Sequence, residues 1–290
     1  MTTDALVPVI DHVVAADGTR VVVHRLGSGP PIVVLPAAML LGESWLGVAQ
    51  ELAASHTVLL VDRRGYGTSD RGPAPNSFER EIADVRAVIE AVGEPVHLAG
   101  HSYGALLALR AALADPAGIA TLLLYEPPLL AAGPHLAAVL DRYRARLAAD
   151  DPMGAIGLFL DEVARVPEEA IAGEDAVPPH DELTALARSV LGDLEALSGL
   201  DPDARPFAAV TVPTLLLTGA LSWDPLPRSA GVLQEVMPGA ETVVWPGQSH
   251  FANMLDPALV ADTIRDFLWR RLRSRRGVGR DVSRDVTGRR

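Results

Sequence analysis

Short runs rich in β-branched residues or Leu alternate along this chain with longer amphipathic stretches, and no other feature restricts the fold as tightly. The runs are Ile32–Leu35, Val58–Val61, Val96–Ala99, Ala120–Tyr125, Thr214–Thr218 and Glu241–Trp245. They are too short for helices and almost without polar interruption, which suits strands covered on both faces. Between most of them lie the helical patterns Glu43–Ala54, Phe78–Val92, Tyr103–Ala114, Pro227–Val236 and Pro257–Leu272. Strand and helix in alternation predict an α/β fold with a doubly wound, mostly parallel sheet. Ahead of them, alternating residues from His12, an Asp17-Gly18 turn and Thr19–His24 predict a hairpin at the sheet edge.

One interval breaks the rhythm. Roughly 85 residues separate Tyr125 from Thr214, far more than a crossover helix needs. Within it Leu136–Leu147, Gly154–Val163 and Asp181–Leu197 carry apolar residues three and four apart, joined by Pro- and Gly-containing breaks. The expectation is a helical cap over residues 130–208, inserted after the sixth strand, on a core made of 1–129 and 209–272. Residues 273–290 read as a basic, disordered tail.

Composition removes whole classes of chemistry. The chain has 290 residues and no Cys. Disulfides, Cys-ligated metals and a thiolate nucleophile are therefore excluded, and no HExxH spacing offers another metal site. No cofactor is expected. The formal charge is −12, and every basic residue is Arg. Residues 270–290 hold nine of the 25 Arg against Asp281 and Asp285, leaving 16 Arg against 35 acidic residues in 1–269. A body so acidic repels nucleic acid and anionic membrane, so neither is expected as a partner. The opening Met1-Thr-Thr-Asp-Ala-Leu lacks a basic segment followed by an apolar run, no stretch has the length of a membrane span, and the default expectation is a cytoplasmic address.

The chemistry concentrates where the run Val96–Ala99 passes into the helix pattern at Tyr103. Gly100-His101-Ser102-Tyr103-Gly104 stands at that junction. A serine on so sharp a strand-to-helix turn needs small residues two positions before and after it, and is presented at the carboxyl end of the sheet. The Tyr103 N–H at the helix start is then available to an oxyanion. A neutral hydroxyl is a poor nucleophile and needs a base. His250, in Pro246-Gly-Gln-Ser-His-Phe beyond the last strand, falls on a loop at the same edge. His101 is expected to turn away into packing.

With these motifs in view, the chain resembles the α/β-hydrolase superfamily, in its lidded serine-hydrolase branch, from the first hairpin to about Leu272. Asp62-Arg-Arg-Gly-Tyr-Gly-Thr-Ser-Asp70 is similar to the D-x-R-G-x-G-x-S-D loop of lidded members and reads as structural, with Asp62 and Arg64 as pins beneath the site. Where the family usually has a His-Gly pair, this chain has Pro36-Ala37-Ala38-Met39, a departure. Counting back from Trp45, which matches a common family Trp, the resemblance implies Ala38 as the second oxyanion donor. Most of the superfamily places its acid three residues after the equivalent of Gly219, where Ser222 stands here, with Asp224 two positions further on. Other branches, one group of haloalkane dehalogenases among them, carry the acid at the end of the preceding strand, which here is Glu126. The acid need only accept the His250 Nδ1–H, so either strand end could serve; geometry favours Glu126, with Asp224 as the alternative.

The resemblance implies a serine hydrolase acting on an ester, lactone or thioester of a small to medium hydrophobic substrate. Met39, Leu129, Phe159, Trp223, Phe251 and Met254 are the candidate pocket residues, with the Tyr103 side chain beside them. The same fold with the same Ser and His also serves cyclases, lyases, C–C hydrolases and cofactor-free haloperoxidases. A non-catalytic binding module is a third reading, raised by the displaced acid and the missing His-Gly pair, and opposed by the retention of Ser102 and His250.

Overall fold

The alternating pattern becomes an eight-stranded sheet whose central strands send odd and even residues to opposite, separately covered faces. The computed structural model describes residues 7–171 and 178–281. The opening residues 1–6, residues 172–177 of the expected cap and residues 282–290 of the expected tail lie outside the described residues. The strands are β1 (Val9–Val14), β2 (Arg20–Gly27), β3 (Pro31–Leu35), β4 (Thr57–Asp62), β5 (Val96–His101), β6 (Ile119–Tyr125), β7 (Thr214–Gly219) and β8 (Glu241–Trp245). Their order is β1-β2-β4-β3-β5-β6-β7-β8. The β1–β2 and β2–β4 pairs are antiparallel and the others parallel. The expected mostly parallel, doubly wound sheet is what forms.

On one face Val33, Leu35, Leu98, Leu122, Leu124 and Leu216 pack with the helices α2 (Phe78–Val92) and α3 (Tyr103–Ala114), through residues such as Val85 and Leu106. On the other, Ile32, Val34, Ala99, Leu123, Leu215 and Leu217 meet Leu52 of α1 (Leu46–Leu52) and Phe267 of the last helix. The parity of the strand sequence thus divides the apolar side chains between two cores. Helix α2 ends where its caps dictate. The Ser77 side chain accepts the Arg80 N–H at 3.4 Å, and Gly93 at φ 76° closes the other end. The run expected from Glu43 begins instead as a 3₁₀ turn, Gly42–Trp45, before α1.

Between β6 and β7 the chain builds α4 (Ala137–Ala148), α5 (Pro152–Leu158), a π-helical turn at Phe159–Ala164, α6 (Glu168–Ile171) and α7 (His180–Ser198). This is the helical cap, with α4 packed on both α5 and α7. The single helix expected over Gly154–Val163 is therefore α5 continued by a wider turn, which Arg165 ends at φ 53°. After β7 follow α8 (Leu226–Val236), α9 (Ala252–Leu255) and α10 (Pro257–Asp281). Helix α10 does not stop at Leu272, and residues 273–281 are helical backbone. Arg is a strong helix former, so the composition of this segment is compatible with helical backbone. No described helix is long and apolar enough to cross a membrane.

Candidate active site

Ser102 sits between β5 and α3 at φ 53° and ψ −120°, a backbone conformation that L residues adopt only under constraint. The constraint is close approach. A Cβ on Gly100 would fall 2.2 Å from the Gly104 carbonyl oxygen, and one on Gly104 would fall 2.2 Å from that of Leu35 in β3. Only glycine at both positions lets the strand, the helix and the neighbouring loop come this near. Ser102 N–H donates to the Tyr125 carbonyl at 2.8 Å, while the Ser102 carbonyl accepts the Ala105 and Leu106 N–H groups. Among the described hydrogen bonds none uses the N–H of Tyr103, the first residue of α3.

The loop after β3 runs beside this turn. Met39, at φ 67°, gives its N–H to the Tyr66 hydroxyl at 3.1 Å. The Ala38 N–H, one residue earlier, donates to no described group. Ala38 and Tyr103 line one cavity together with Ser102 and His250.

His250 lies between β8 and α9, 7% exposed. Its Nδ1 is 2.5 Å from Glu126 Oε2, and Glu126 is completely buried. The other carboxylate oxygen accepts the Gly219 N–H at 2.8 Å. A carboxylate accepts, so Nδ1 is the donor nitrogen of this pair, and in the neutral imidazole Nε2 is the nitrogen with the lone pair. Glu126 follows β6 directly, at φ 49°, with its N–H still bonded to the Leu217 carbonyl of β7 at 3.1 Å. Asp224, the other candidate acid, is exposed on the loop after β7 and forms no described bond to His250.

Two residues outside the expected site hold the His250 loop. His101 is fully buried, with Nε2 donating to the His250 carbonyl at 2.9 Å and its ring stacked on Tyr125 at 4.7 Å. Burial, and next the neighbouring His250, keep the His101 imidazole well below the ordinary histidine range, so it is neutral. His101 does turn into packing, but it also supports the loop that carries His250. The Tyr125 hydroxyl donates to the Ser249 carbonyl and accepts the Ala252 N–H at 3.2 Å. No residue spacing signals either role, because each partner is a backbone group more than a hundred positions away.

The cavity has a volume of about 450 Å³. Its walls are apolar residues of the β3 loop, the cap, the α8 region and the His250 loop, including Met39, Phe159, Val163, Leu197, Leu226 and Phe251. Trp223 joins them, its ring 5.6 Å from that of His250 and its Nε1–H donated to the cap carbonyl of Ala164 at 2.9 Å. Tyr103 also lines the cavity, with its hydroxyl given to Glu81. Among the described lining residues, Ser102 and His250 are then the polar side chains left to meet a ligand. Two expected wall residues stand elsewhere. Leu129 is fully buried in the core, and Met254 is 46% exposed on α9; neither lines the cavity. The spacing that places Met254 near His250 points its side chain outward once α9 forms. Among the described residues no group of three or more His, Cys, Asp or Glu could hold a metal ion.

Asp62 and Arg64 hold the loop that follows β4. Asp62 accepts the Gly42 N–H at 2.8 Å and contacts His24 Nε2 at 2.9 Å. Arg64 grips Asp84 with two bonds of 2.6 and 2.7 Å.

Comparison with known proteins agrees with this architecture. RutD of Azorhizobium caulinodans, assigned by name to carbamate hydrolysis, is 30% identical over 253 residues, spanning 83% of this chain and 92% of the relative. The crystal structure of an alpha/beta hydrolase from Sphaerobacter thermophilus superposes with a TM-score of 0.75 at 30% identity, covering 89% of this chain and all of the other. An enol-lactonase from Burkholderia xenovorans shares the fold, with a TM-score of 0.70 at 18% identity over 89% of this chain and 99% of its own. The pattern of the Alpha/beta hydrolase family itself matches residues 21–263, and the chain belongs to that family.

Proposed function

We propose that the chain is a serine hydrolase that cleaves an ester, lactone or thioester of a small to medium hydrophobic acid. The observation that carries this reading is the buried His250–Glu126 bond at the wall of the cavity onto which Ser102 opens. With Nδ1–H directed at the carboxylate, His250 Nε2 is the base that takes the Ser102 proton as Oγ attacks the substrate carbonyl. The Ala38 and Tyr103 N–H groups, both without another acceptor among the described hydrogen bonds, receive the oxyanion. His250 then protonates the leaving alcohol or thiol. Water, activated by the same imidazole, releases the acid from Ser102.

Substrate class follows from the walls. A cavity of about 450 Å³ falls within the range of about 300–1,000 Å³ that takes small and medium organic ligands. A charged acyl group would find no counter-ion among the described lining residues and would lose its hydration there. Neutral, apolar acyl groups are therefore favoured. The membership of relatives named for lactone and carbamate hydrolysis supports the same reaction class. The test is covalent labelling with a fluorophosphonate probe alongside turnover of short 4-nitrophenyl esters. Wild type labels and turns over, and Ser102→Ala does neither; a Ser102→Ala protein that still labels removes Ser102 as the nucleophile.

A further inference from the structure

Beneath the loop that carries Ala38 lies a buried ionic cluster that the reaction scheme does not use. At its centre is Arg63, the residue after β4, with its side chain 2% exposed. Its Nη1 donates to Glu81 of α2 at 3.0 Å and to Asp193 of the cap helix α7 at 2.8 Å, and its Nη2 reaches the second Asp193 oxygen at 2.9 Å. The guanidinium is sandwiched between two rings, 4.6 Å from the centroid of Tyr66 and 4.2 Å from that of Tyr103. Burial disfavours the cation, but Asp193 and Glu81 more than offset it, and Arg63 is held above its ordinary range. Such a cluster is costly to desolvate, and apolar side chains of equal volume usually stabilise a core as well or better. Stability alone therefore does not account for it.

Its geometry toward the β3 loop does. Arg63 Nη2 also donates to the Ala37 carbonyl at 3.4 Å. That oxygen belongs to the same planar peptide unit as the Ala38 N–H, so a donor on one end orients the other. The Tyr66 hydroxyl accepts the Met39 N–H at 3.1 Å and donates to Asp193 at 2.5 Å. Thus two successive peptides of the loop, on either side of Ala38, are held from behind, one by Arg63 and one by Tyr66, and Met39, which follows them, has a left-handed φ of 67°. Both holding groups bond to one carboxylate, Asp193, and that carboxylate comes from the cap. On the other donor's side, Tyr103 sends its hydroxyl to Glu81, the second carboxylate on Arg63.

Building on the proposed acyl transfer, we infer that Arg63 and Tyr66 are positioning residues of the oxyanion hole and that Asp193 sets them, so that the hole is aligned when α7 of the cap is seated. Neither Arg63 nor Tyr66 touches the reacting atoms. They act through the direction of the Ala38 N–H. Seating of the cap and stabilisation of the oxyanion are then one event, and a substrate that keeps α7 from docking loses turnover rather than binding.

The experiment compares wild type with Tyr66→Phe, Asp193→Asn and Ser189→Ala, using 4-nitrophenyl butyrate kinetics, inhibition by an alkyl boronic acid that forms a tetrahedral adduct on Ser102, and thermal unfolding. Ser189 is the control because its hydroxyl joins the same helix α7 to the core, at the Gly65 carbonyl, without reaching the Ala38 loop. Tyr66→Phe and Asp193→Asn are expected to lower kcat about tenfold with KM changed less than about twofold, and to weaken boronate inhibition by the same factor as kcat. Ser189→Ala is expected to keep the wild-type kcat. If Asp193→Asn does not fold, Tyr66→Phe decides alone, since it removes only a hydroxyl. Wild-type kcat in Tyr66→Phe overturns the inference, as does a fall in turnover matched by KM with boronate affinity intact. An equal fall in Ser189→Ala, which leaves Arg63, Tyr66 and Asp193 in place, overturns the assignment of the alignment to these three residues. An inert wild type overturns the hydrolase reading itself, and this inference with it.

Discussion

Replacing Glu126 by Gln changes one atom of the site and should remove nearly all turnover. The carboxylate serves two buried donors at once, His250 Nδ1–H at 2.5 Å and Gly219 N–H at 2.8 Å. A carboxamide has one acceptor and one donor end. If its NH₂ faced Gly219, two buried donors would meet, at a cost of about 1–3 kcal/mol for the unmatched group. The cheaper arrangement keeps the amide oxygen on Gly219 and turns the NH₂ to His250. Nδ1 must then accept, the ring proton moves to Nε2, and the base has no lone pair for the Ser102 proton. Loss of the correct tautomer in a Ser-His-acid array costs about 10⁴ in kcat, or about 5.4 kcal/mol in the barrier. Asp224 is exposed and bonds to no part of His250, so Asp224→Asn should stay within about twofold of wild type. The assay is kcat and KM on 4-nitrophenyl butyrate at neutral pH, with circular dichroism to check folding. A folded Glu126→Gln protein within tenfold of wild-type kcat, or an Asp224→Asn protein that loses as much, refutes this account of the acid.

Two further outcomes test the scaffold. Gly104→Ala places a methyl group 2.2 Å from the Leu35 carbonyl, against backbone that cannot rotate away, so the variant should lose soluble expression or several degrees of melting temperature together with activity. Acidification should destabilise the fold through His101: the unfolded imidazole binds a proton as pH falls through about 6.5, the folded one resists, and stability is lost below that pH with a slope approaching about 1.4 kcal/mol per pH unit from this group. Urea unfolding at pH 7.5 and 5.5, with His101→Gln as the comparison, reads that slope directly; an unchanged pH dependence in the variant removes the assignment.

The elements that could be read in advance are those whose determinants are local. Helix α2 runs over Phe78–Val92, as its pattern predicts, because Ser77 and Gly93 mark its ends. The strands follow from apolar runs whose parity already divides them between two cores. Boundaries set by tertiary contact were not readable. The π-helical turn at Phe159–Ala164 has no sequence signature, and the bond from Trp223 to the Ala164 carbonyl that satisfies its end comes from beyond β7. Helix α10 passes the expected stop at Leu272 because nothing after it breaks a helix strongly enough, Gly277 and Gly279 included.

The same division runs through the candidate site. Sequence by itself determined that Ser102 stands on a glycine-flanked turn between strand and helix, and that His250 and two possible acids fall on loops at the carboxyl edge of one sheet. Order along the chain is enough for that, because parallel strands all end on the same side. Only the tertiary structure decided that Glu126 meets His250 while Asp224 faces solvent, that His101 and Tyr125 hold the His250 loop, and that Arg63 lies among the cap, α2 and the Ala38 loop. Those are matters of direction and distance between residues far apart in sequence. They are set by the packing of the whole sheet with its cap, which no local pattern of residues encodes.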